Sequence, residues 1–393
     1  MNSEKIKELD KSKTAHTYSR YDVVLASGKG ARCLSPEGKG FIDFTAGIGV
    51  NSLGFCDEGW IKVVTEQLNK IQHASNLFYT EPQARLAEAL ASRTGLSKTV
   101  FVNSGAEANE TAIKAARKYG TENKGTGANR IITLKNSFHG RTMAALTATG
   151  QEKYHRYFTP FIEGFDYCAV NDTEELKKLA DENSCAIMIE VIQGEGGVVD
   201  LNQDFAEAAE KICRDKDMLL IIDEVQTGIG RTGKLFAYQH YGLKPDIVTF
   251  AKGLGGGLPI GGAIMGEKCC NVLQPGDHGS TFGGNPVVCA GALEVLKRLD
   301  EDFLREVAAK GEYVKERLLQ TSGVNGISGK GLMLGISLEK GKASHIVEGG
   351  IREGLLLLTA GEKVRLLPPL NIEWEELGEG LNIMKSLIKS ITC

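Results

Sequence analysis

The sequence predicts an α/β protein with a mostly parallel sheet between two layers of helices. Two observations lead to this fold class. Short apolar runs alternate with amphipathic stretches through the middle of the chain, which is the pattern of strands that alternate with helices. The spacing from strand to helix to strand is that of parallel sheets, because parallel neighbours need a crossover connection.

The elements follow in order along the chain. Residues 1–45 are polar with glycine-containing turns, so we predict an N-terminal arm or hairpin that joins a smaller domain. Residues 46–290 are predicted to form a large domain, and residues 291–393 a smaller C-terminal α+β domain. Asn285 followed by Pro286 is a typical helix start and predicts a long helix to about Leu299. The predicted strands are Thr99–Asn103, Arg130–Leu134, Ala186–Ile192, Leu219–Asp223 and Asp246–Ala251, and the predicted helices between them include Glu107–Lys118, Asp172–Ala180 and Asp204–Arg214.

Composition and charge argue against several classes of protein. The 46 basic and 50 acidic residues give a net charge of −4. The sequence therefore lacks the excess of positive charge that is typical of proteins that bind nucleic acid or anionic membranes. No apolar run approaches the roughly 18 residues of a spanning helix, and the first residues are too polar for a secretory signal. The nine cysteines show neither CxxC pairs nor zinc-site spacing. We therefore expect a cytoplasmic protein without a metal site.

Glycine and three strand-end positions predict where a ligand binds. Glycine makes up 48 of the 393 residues and is clustered, as in turns that let the backbone approach a ligand closely. Ligands of such sheets lie beyond the carboxyl ends of the strands. There, Ser104, Gly105 and Ala106 open a helix whose free N–H groups attract phosphate. Asp223 ends a buried strand, and Lys252 follows the next strand and precedes four glycines within five residues.

Each of these positions also has an ordinary structural interpretation. The first is a capped turn, the aspartate a structural ion pair, and a lysine is usually a solvated surface residue. Together, however, they match what pyridoxal phosphate requires: a helix N-terminus for its phosphate, a carboxylate for its ring nitrogen and a lysine for its aldehyde. The 29 residues that separate Asp223 from Lys252 leave room for a loop and a helix between neighbouring strands.

With these residues the chain resembles the class III (ornithine/acetylornithine-type) aminotransferases of pyridoxal-phosphate fold type I. The resemblance implies that fold, the cofactor pyridoxal 5'-phosphate and a homodimer with a shared active site. The matching blocks span nearly the whole chain in family order: DFTAGIGVNSLG (43–54), SNLFYTEPQ (75–83), FVNSGAEANETAIKAAR (101–117), NSFHGRT (136–142), IEVIQGEGGV (189–198), DEVQTGIGRTG (223–233), TFAKGLGGGLPIGG (249–262), STFGGNP (280–286) and VRLLPPL (364–370).

The resemblance implies a cofactor role for individual positions. Lys252 resembles the lysine that forms the Schiff base, Asp223 the partner of the ring nitrogen and Gln226 the donor to the phenolic oxygen. Phe138 resembles the aromatic residue that stacks on the ring, and His139 completes its turn. The remaining cofactor positions are Ser104, Gly105 and Ala106 in the phosphate turn, and Thr281, which resembles the residue that reaches the phosphate of the neighbouring subunit.

Four further positions are predicted to bind substrate. Arg141 resembles the residue that binds the carboxylate far from the reacting amine, and Arg365 the residue that binds the carboxylate next to it; guanidinium suits both because it pairs bidentately. Glu195 resembles the acid that pairs with Arg365 when no adjacent carboxylate is present. Ser280 lies in the same block as Thr281 and is assigned to substrate.

Within the family, the acetylornithine-type enzymes are the most similar. The expected activity is ping-pong transfer of the ω-amino group of N-acetylornithine to 2-oxoglutarate, giving N-acetylglutamate semialdehyde and glutamate, a step of arginine biosynthesis. Succinylornithine, ornithine and 4-aminobutyrate are alternative amino donors.

A different class of protein, one that binds nucleotides, is suggested by Gly228–Lys234, which matches GxGxxG and nearly matches a P-loop. That motif should directly follow a strand and open a helix, yet DEVQT intervenes and Leu235 replaces the expected hydroxyl residue.

Overall fold

A computed structural model describes residues 1–392 of the chain, with side chains for residues 1–390. The N-terminal segment begins with a helix where the sequence predicted only an arm or hairpin. Asn2 caps this helix by accepting a hydrogen bond from the Lys5 amide at 3.1 Å. None of its residues is buried, and only Ile6 and Leu9 of its eleven residues are apolar, too few for the periodicity that would have predicted it. The first elements are α1 (Ser3–Lys13), β1 (Ser27–Lys29), β2 (Arg32–Leu34) and β3 (Gly40–Asp43), of which β1 and β2 form the expected hairpin.

The middle of the chain supplies a seven-stranded sheet in the order β4-β12-β11-β10-β7-β5-β6. All neighbours are parallel except β12, which is antiparallel to both β11 and β4. The predicted mostly parallel α/β fold is therefore confirmed. The elements are α2 (Ala46–Gly49), α3 (Glu58–Leu68), α4 (Glu81–Thr94), β4 (Lys98–Val102), α5 (Gly105–Lys124), β5 (Arg130–Leu134), α6 (Met143–Ala148), α7 (Glu152–His155), β6 (Phe165–Cys168), α8 (Thr173–Leu179), β7 (Ser184–Ile189), β8 (Ile192–Gln193), β9 (Val199–Asp200), α9 (Gln203–Asp215), β10 (Leu219–Asp223), β11 (Ile247–Phe250) and β12 (Gly261–Met265).

Two strands of this sheet were not predicted, and their sequences explain why. β12 begins with two glycines, which are poor strand formers, and it forms because β4 and β11 pair with it on either side. β6 is an edge strand of only four residues, one of them charged. In both cases pairing with neighbours outweighs a weak local preference.

The two faces of the sheet are covered by different helices because strand side chains alternate in direction. On β10, Leu219 and Ile221 face the side that α5 covers with small residues such as Ala112. Leu220 and Ile222 face the opposite side, where α9 packs. Small residues on α5 let that helix lie close to the sheet, so its N-terminus is placed near the strand ends.

The connection between β10 and β11 differs from the expectation of a loop and a helix. It runs as successive turns with one short 3-10 segment, Ala237–His240. The fully buried Arg231 guanidinium secures these turns by donating to the carbonyl oxygens of Leu332, at 3.2 Å, and Pro368. Because the glycines of Gly228–Lys234 open no helix, the nucleotide-binding interpretation of this motif is wrong.

The C-terminal part of the chain contributes a strand to the small sheet formed by the N-terminal part. Strand β15 pairs in parallel with β3, and a separate antiparallel sheet has the order β13-β14-β17-β16. Asn285 caps α10 as predicted by accepting from the Val287 amide at 3.0 Å. The elements are α10 (Pro286–Arg298), α11 (Glu301–Leu319), β13 (Val324–Lys330), β14 (Met333–Leu338), α12 (Ala343–Glu353), β15 (Leu355–Leu356), β16 (Leu358–Ala360), β17 (Lys363–Leu366) and α13 (Trp374–Thr392).

The domain boundaries at residues 45 and 290 stay predictions. Among residues 1–392, none of the helices combines the length and the apolar character that crossing a membrane requires.

Candidate active site

A cavity of about 490 Å³ lies beyond the carboxyl ends of β10 and β11. It brings together nine of the thirteen predicted site residues, although they come from four separate stretches of the chain. The nine are Ser104, Gly105, Ala106, Phe138, His139, Arg141, Asp223, Gln226 and Lys252. The other four, Glu195, Ser280, Thr281 and Arg365, do not belong to the described residues that line this cavity.

Asp223 is a buried carboxylate of the site with both of its oxygens hydrogen-bonded. It ends β10, is 3% exposed, and accepts three hydrogen bonds. One oxygen accepts from Asn109 Nδ2 at 2.7 Å and lies 2.8 Å from His139 Nδ1, and the other accepts from the Val225 amide at 3.0 Å. Thr249 in turn donates to Asn109 Oδ1 at 2.7 Å. These donors offset the desolvation of the carboxylate and fix its direction.

Asn109 was not predicted as a site residue. Its amide also donates to the carbonyl oxygen of His139 at 2.6 Å, so one side chain ties α5 to the Phe138 turn and to Asp223. The signal was present, because Asn109 is a polar residue on the buried face of a helix whose other buried residues are mostly small or apolar. Buried polar groups of this kind require partners.

Glu190 was also missed, although it follows strand β7 directly. Its carboxylate accepts from the Phe138 amide at 2.9 Å and the Gly194 amide at 3.3 Å. Burial raises the pKa of Glu190 to about 7. For His139, burial works against the charged form, but Asp223 and Glu190 outweigh it and raise its pKa. The strand-end rule that selected Asp223 did not point to Glu190, because the strand was predicted as Ala186–Ile192, whereas β7 ends at Ile189.

Lys252 occupies a strained position directly after β11 and Ala251. Its φ of +42° lies in a region that side chains with a Cβ rarely adopt, which is common where a functional residue must be held in place. Burial lowers the pKa of its amine, because a desolvated ammonium group is disfavoured. The following Gly253 has no room for a side chain, since a Cβ there would lie 2.5 Å from Ser52 Oγ.

Small residues keep the N-terminus of α5 open towards the cavity. Ser104 caps this helix by accepting from the Glu107 amide at 3.2 Å. A Cβ at Gly105 would lie 2.5 Å from the Val225 side chain, and a Cβ at Gly140 would lie 2.8 Å from that of Ala106. The helix therefore presents backbone N–H groups to the cavity, and this arrangement favours an anion.

Arg365 and Glu195 form an ion pair beside Gln226. Arg365 lies on β17, is 3% exposed, and donates to Glu195 at 2.7 Å and to Gln226 Oε1 at 3.1 Å. Burial disfavours the charged form of Glu195, but Arg365 outweighs that effect and lowers the pKa of Glu195. The pair reaches the cavity through Gln226, which lines it.

The last two predicted residues lie outside the cavity. Ser280 Oγ accepts from Asn103 Nδ2 at 2.9 Å and from the Gly283 amide at 3.1 Å, and Asn103 itself lines the cavity. Thr281 is exposed to solvent. The structure therefore connects Ser280 to the site through Asn103 and leaves Thr281 at the surface, and the roles assigned to both stay predictions.

Comparisons with known proteins agree with this fold. The family model described as aminotransferase class-III matches residues 14–388. Acetylornithine aminotransferase of Haemophilus ducreyi is 49% identical over 393 residues and covers all of both chains. The solved ornithine aminotransferase of Toxoplasma gondii ME49 superposes with a TM-score of 0.94 at 31% identity, over 99% of this chain and 96% of that one. The N-acetylornithine aminotransferase structure from Stenotrophomonas maltophilia gives 0.84 at 36% identity, over 98% of each chain.

The match extends over almost the entire chain, and the cavity gathers nine of the thirteen site residues that the sequence predicted. The fold, the full-length identity and the family model point to one conclusion: this protein is a member of the class III aminotransferases.

Proposed function

We propose that this protein transfers the ω-amino group of N-acetylornithine to 2-oxoglutarate. The main support for the proposal is that two arginines near the cavity differ in burial and in pairing. Arg365 is buried and already paired with Glu195, whereas Arg141 is exposed at the cavity. N-acetylornithine has one carboxylate, far from the reacting amine, while glutamate also has one beside it. Arg141 would bind the distal carboxylate of either substrate, and Arg365 would leave Glu195 to bind the second carboxylate of glutamate.

The cavity fits pyridoxal 5'-phosphate as the cofactor. The buried carboxylate of Asp223 suits a protonated ring nitrogen, and the lowered pKa of Lys252 suits an amine that must react with an aldehyde. The open N-terminus of α5 at Ser104 to Ala106 suits the phosphate. When bound, this cofactor supplies a ring that accepts electrons and stabilises negative charge on the carbon bearing the amine.

The protein's own residues would orient the reacting groups and move the proton. Asp223, held by three donors, provides a fixed negative charge in a dry site, where charge stabilisation is strongest. Lys252, as a neutral amine, would remove the proton from the carbon that bears the substrate amine and return it at the neighbouring position. Phe138 and Val225 border the cavity and exclude water from that proton transfer.

A panel of single half-reactions tests the proposed donor. Each amine is added to the holoenzyme without a keto acid, and the change in absorbance of the bound cofactor is followed. We expect N-acetylornithine to give the largest ratio of limiting rate constant to half-saturating concentration. N-succinylornithine, ornithine and 4-aminobutyrate serve as comparisons, and a larger ratio with any of them would replace the proposed donor.

Glu195→Gln is expected to shift the ratio of the two half-reaction rate constants towards glutamate by about tenfold. Without the charge of Glu195, Arg365 is free for the adjacent carboxylate of glutamate. N-acetylornithine would instead face an unpaired buried cation, which costs several kcal/mol in general, and about 1.4 kcal/mol already corresponds to tenfold. Pre-steady-state absorbance of the wild type and the variant with both substrates measures the ratio.

Arg365→Ala is the opposing control for that experiment. It removes the predicted partner of glutamate, so the ratio should move towards N-acetylornithine. A ratio that stays at the wild-type value in Glu195→Gln would assign Glu195 a structural role only.

We further propose that the protein acts as a homodimer in the cytoplasm, with Thr281 reaching the cofactor phosphate of the partner. An exposed apolar surface supports the dimer: Leu77 is 87% exposed and Phe282, beside Thr281, is 61% exposed. The two segments that carry them are joined by Asn76, whose amide donates to the Gly283 carbonyl at 2.8 Å. Contiguous apolar surface of this kind marks protein contacts.

A further inference from the structure

Arg141 lies at the cavity with two aromatic rings as neighbours. Its guanidinium carbon is 4.3 Å from the centre of the Tyr154 ring and 5.5 Å from that of Phe138. Among residues 1–390, it forms neither a hydrogen bond nor an ion pair with any side chain or backbone group. All five of its N–H donors therefore remain available to a ligand.

The position of Tyr154 is set by the same backbone that carries Phe138. Gln151, three residues before Tyr154, donates from its side chain to the Ser137 carbonyl at 3.0 Å, and the Tyr154 amide donates to the Gln151 carbonyl at 3.0 Å. The Tyr154 ring meets the Phe138 ring edge-on, with 5.7 Å between centres and 69° between planes. Tyr154 is thus held in register with the ring predicted to stack on the cofactor.

An aromatic neighbour positions an arginine in a different way from an acid. The face of a ring attracts a guanidinium through its quadrupole, yet it occupies none of the N–H donors. An acid in the same place would fix the side chain but would also compete with an anionic ligand. A ring therefore restricts the many rotamers of an exposed arginine and leaves its bidentate edge open for a carboxylate.

We propose that Tyr154 is a positioning residue for substrate recognition. Its ring holds the Arg141 guanidinium where it binds the substrate carboxylate that lies far from the reacting amine. This inference rests on the proposed function, which assigns that carboxylate to Arg141. Tyr154 acts through Arg141 and not on the reacting atoms, so it controls which amines bind and not how fast a bound amine reacts.

The kinetic test compares two amines that differ only in the distal carboxylate. In half-reactions of the holoenzyme, Tyr154→Leu should raise the half-saturating concentration of N-acetylornithine about tenfold, which corresponds to about 1.4 kcal/mol. The limiting rate constant should change less than about twofold. N-(4-aminobutyl)acetamide lacks the carboxylate, so its half-saturating concentration should stay within about twofold of the wild-type value. Tyr154→Phe keeps the ring and should behave as the wild type.

A binding test separates this inference from the proposed function. N-acetylnorvaline keeps the acetyl group and the carboxylate but has no ω-amine, so it cannot react. Calorimetry should show it binding to the Tyr154→Leu holoenzyme about tenfold more weakly than to the wild type. If N-acetylornithine proves not to be a substrate of the wild type while this loss is observed, the proposed donor fails and the role of Tyr154 stands.

The chain offers a matched control at the neighbouring tyrosine. Arg156 lies 4.9 Å from the centre of the Tyr157 ring, and Tyr157 is 73% exposed and outside the cavity. Tyr157→Leu therefore removes a similar cation–ring pair and should change neither amine. In an Arg141→Gln background, Tyr154→Leu should have no additional effect, because residues that act as one unit are not additive.

Several results would overturn the inference. Equal losses for both amines in Tyr154→Leu would indicate a general structural role. An additional tenfold loss in the Arg141→Gln background would show that Tyr154 does not act through Arg141. A wild type that shows no saturable binding of N-acetylnorvaline would contradict recognition of the carboxylate by a positioned Arg141.

Discussion

Lys252→Ala is expected to lower turnover by at least about 10⁴-fold, the upper end of what a positioned acid–base group contributes. In the proposed mechanism Lys252 both tethers the cofactor and moves the proton, and its lowered pKa follows from its burial. Two measurements check this: steady-state turnover, and the mass of the protein after borohydride reduction, which should show covalently attached cofactor only in the wild type.

Lys234→Ala is the matched control for this variant. Lys234 is an exposed lysine at the end of the glycine motif after Asp223 and is not among the residues that line the cavity. Its replacement should leave turnover and covalent attachment unchanged. Covalent cofactor on Lys252→Ala at the wild-type level would refute the assignment of Lys252.

Asp223→Asn is expected to lower turnover by about 10²- to 10³-fold without unfolding the protein. The amide has nearly the same shape, but it cannot supply the negative charge that a protonated ring nitrogen needs. Loss of one partner of a buried charge pair costs about 3–5 kcal/mol, and the lower part of that range gives the expected loss at about 1.4 kcal/mol per factor of ten. Turnover and cofactor affinity should be measured together, because weaker binding of the cofactor would contribute to the loss.

Asp246→Asn controls for the effect of changing an aspartate next to the same strand. Asp246 accepts from the Leu220 amide at 2.8 Å, near the start of β10 and therefore at the opposite end from Asp223. This variant should keep the turnover of the folded fraction. If Asp223→Asn retained more than about a tenth of wild-type turnover, the charge of Asp223 would not be required.

Much of the sheet could be predicted because its strands have strong local patterns. β5 and β10 have the predicted bounds, Arg130–Leu134 and Leu219–Asp223, since each is a short apolar run between turn residues. α1 and β12 were missed for the opposite reason: α1 buries none of its residues, and β12 starts with two glycines. Elements stabilised mainly by pairing with distant strands leave little trace in their own residues.

Site residues could be predicted where they lie at the carboxyl end of a strand, because ligands bind there. Contacts between segments far apart in the sequence could not be predicted. Asp223 ends β10 and Lys252 follows the neighbouring strand β11, so their proximity follows from the order of the sheet. The partners of Asp223 do not, because Asn109 lies 114 residues away along the chain. Glu195 and Arg365 are 170 residues apart, and their roles were inferred from the resemblance alone.

By itself the sequence determined the α/β class, the strand ends that carry the cavity and the family of the protein. These depend on local periodicity and on short blocks of residues, which a chain displays without folding. Tertiary structure alone decided which donors surround Asp223, that the β10–β11 connection is a series of turns around Arg231, and that Tyr154 lies over Arg141. Each is a contact between groups that only the folded chain brings together, and the residues next to each partner in the sequence do not encode it.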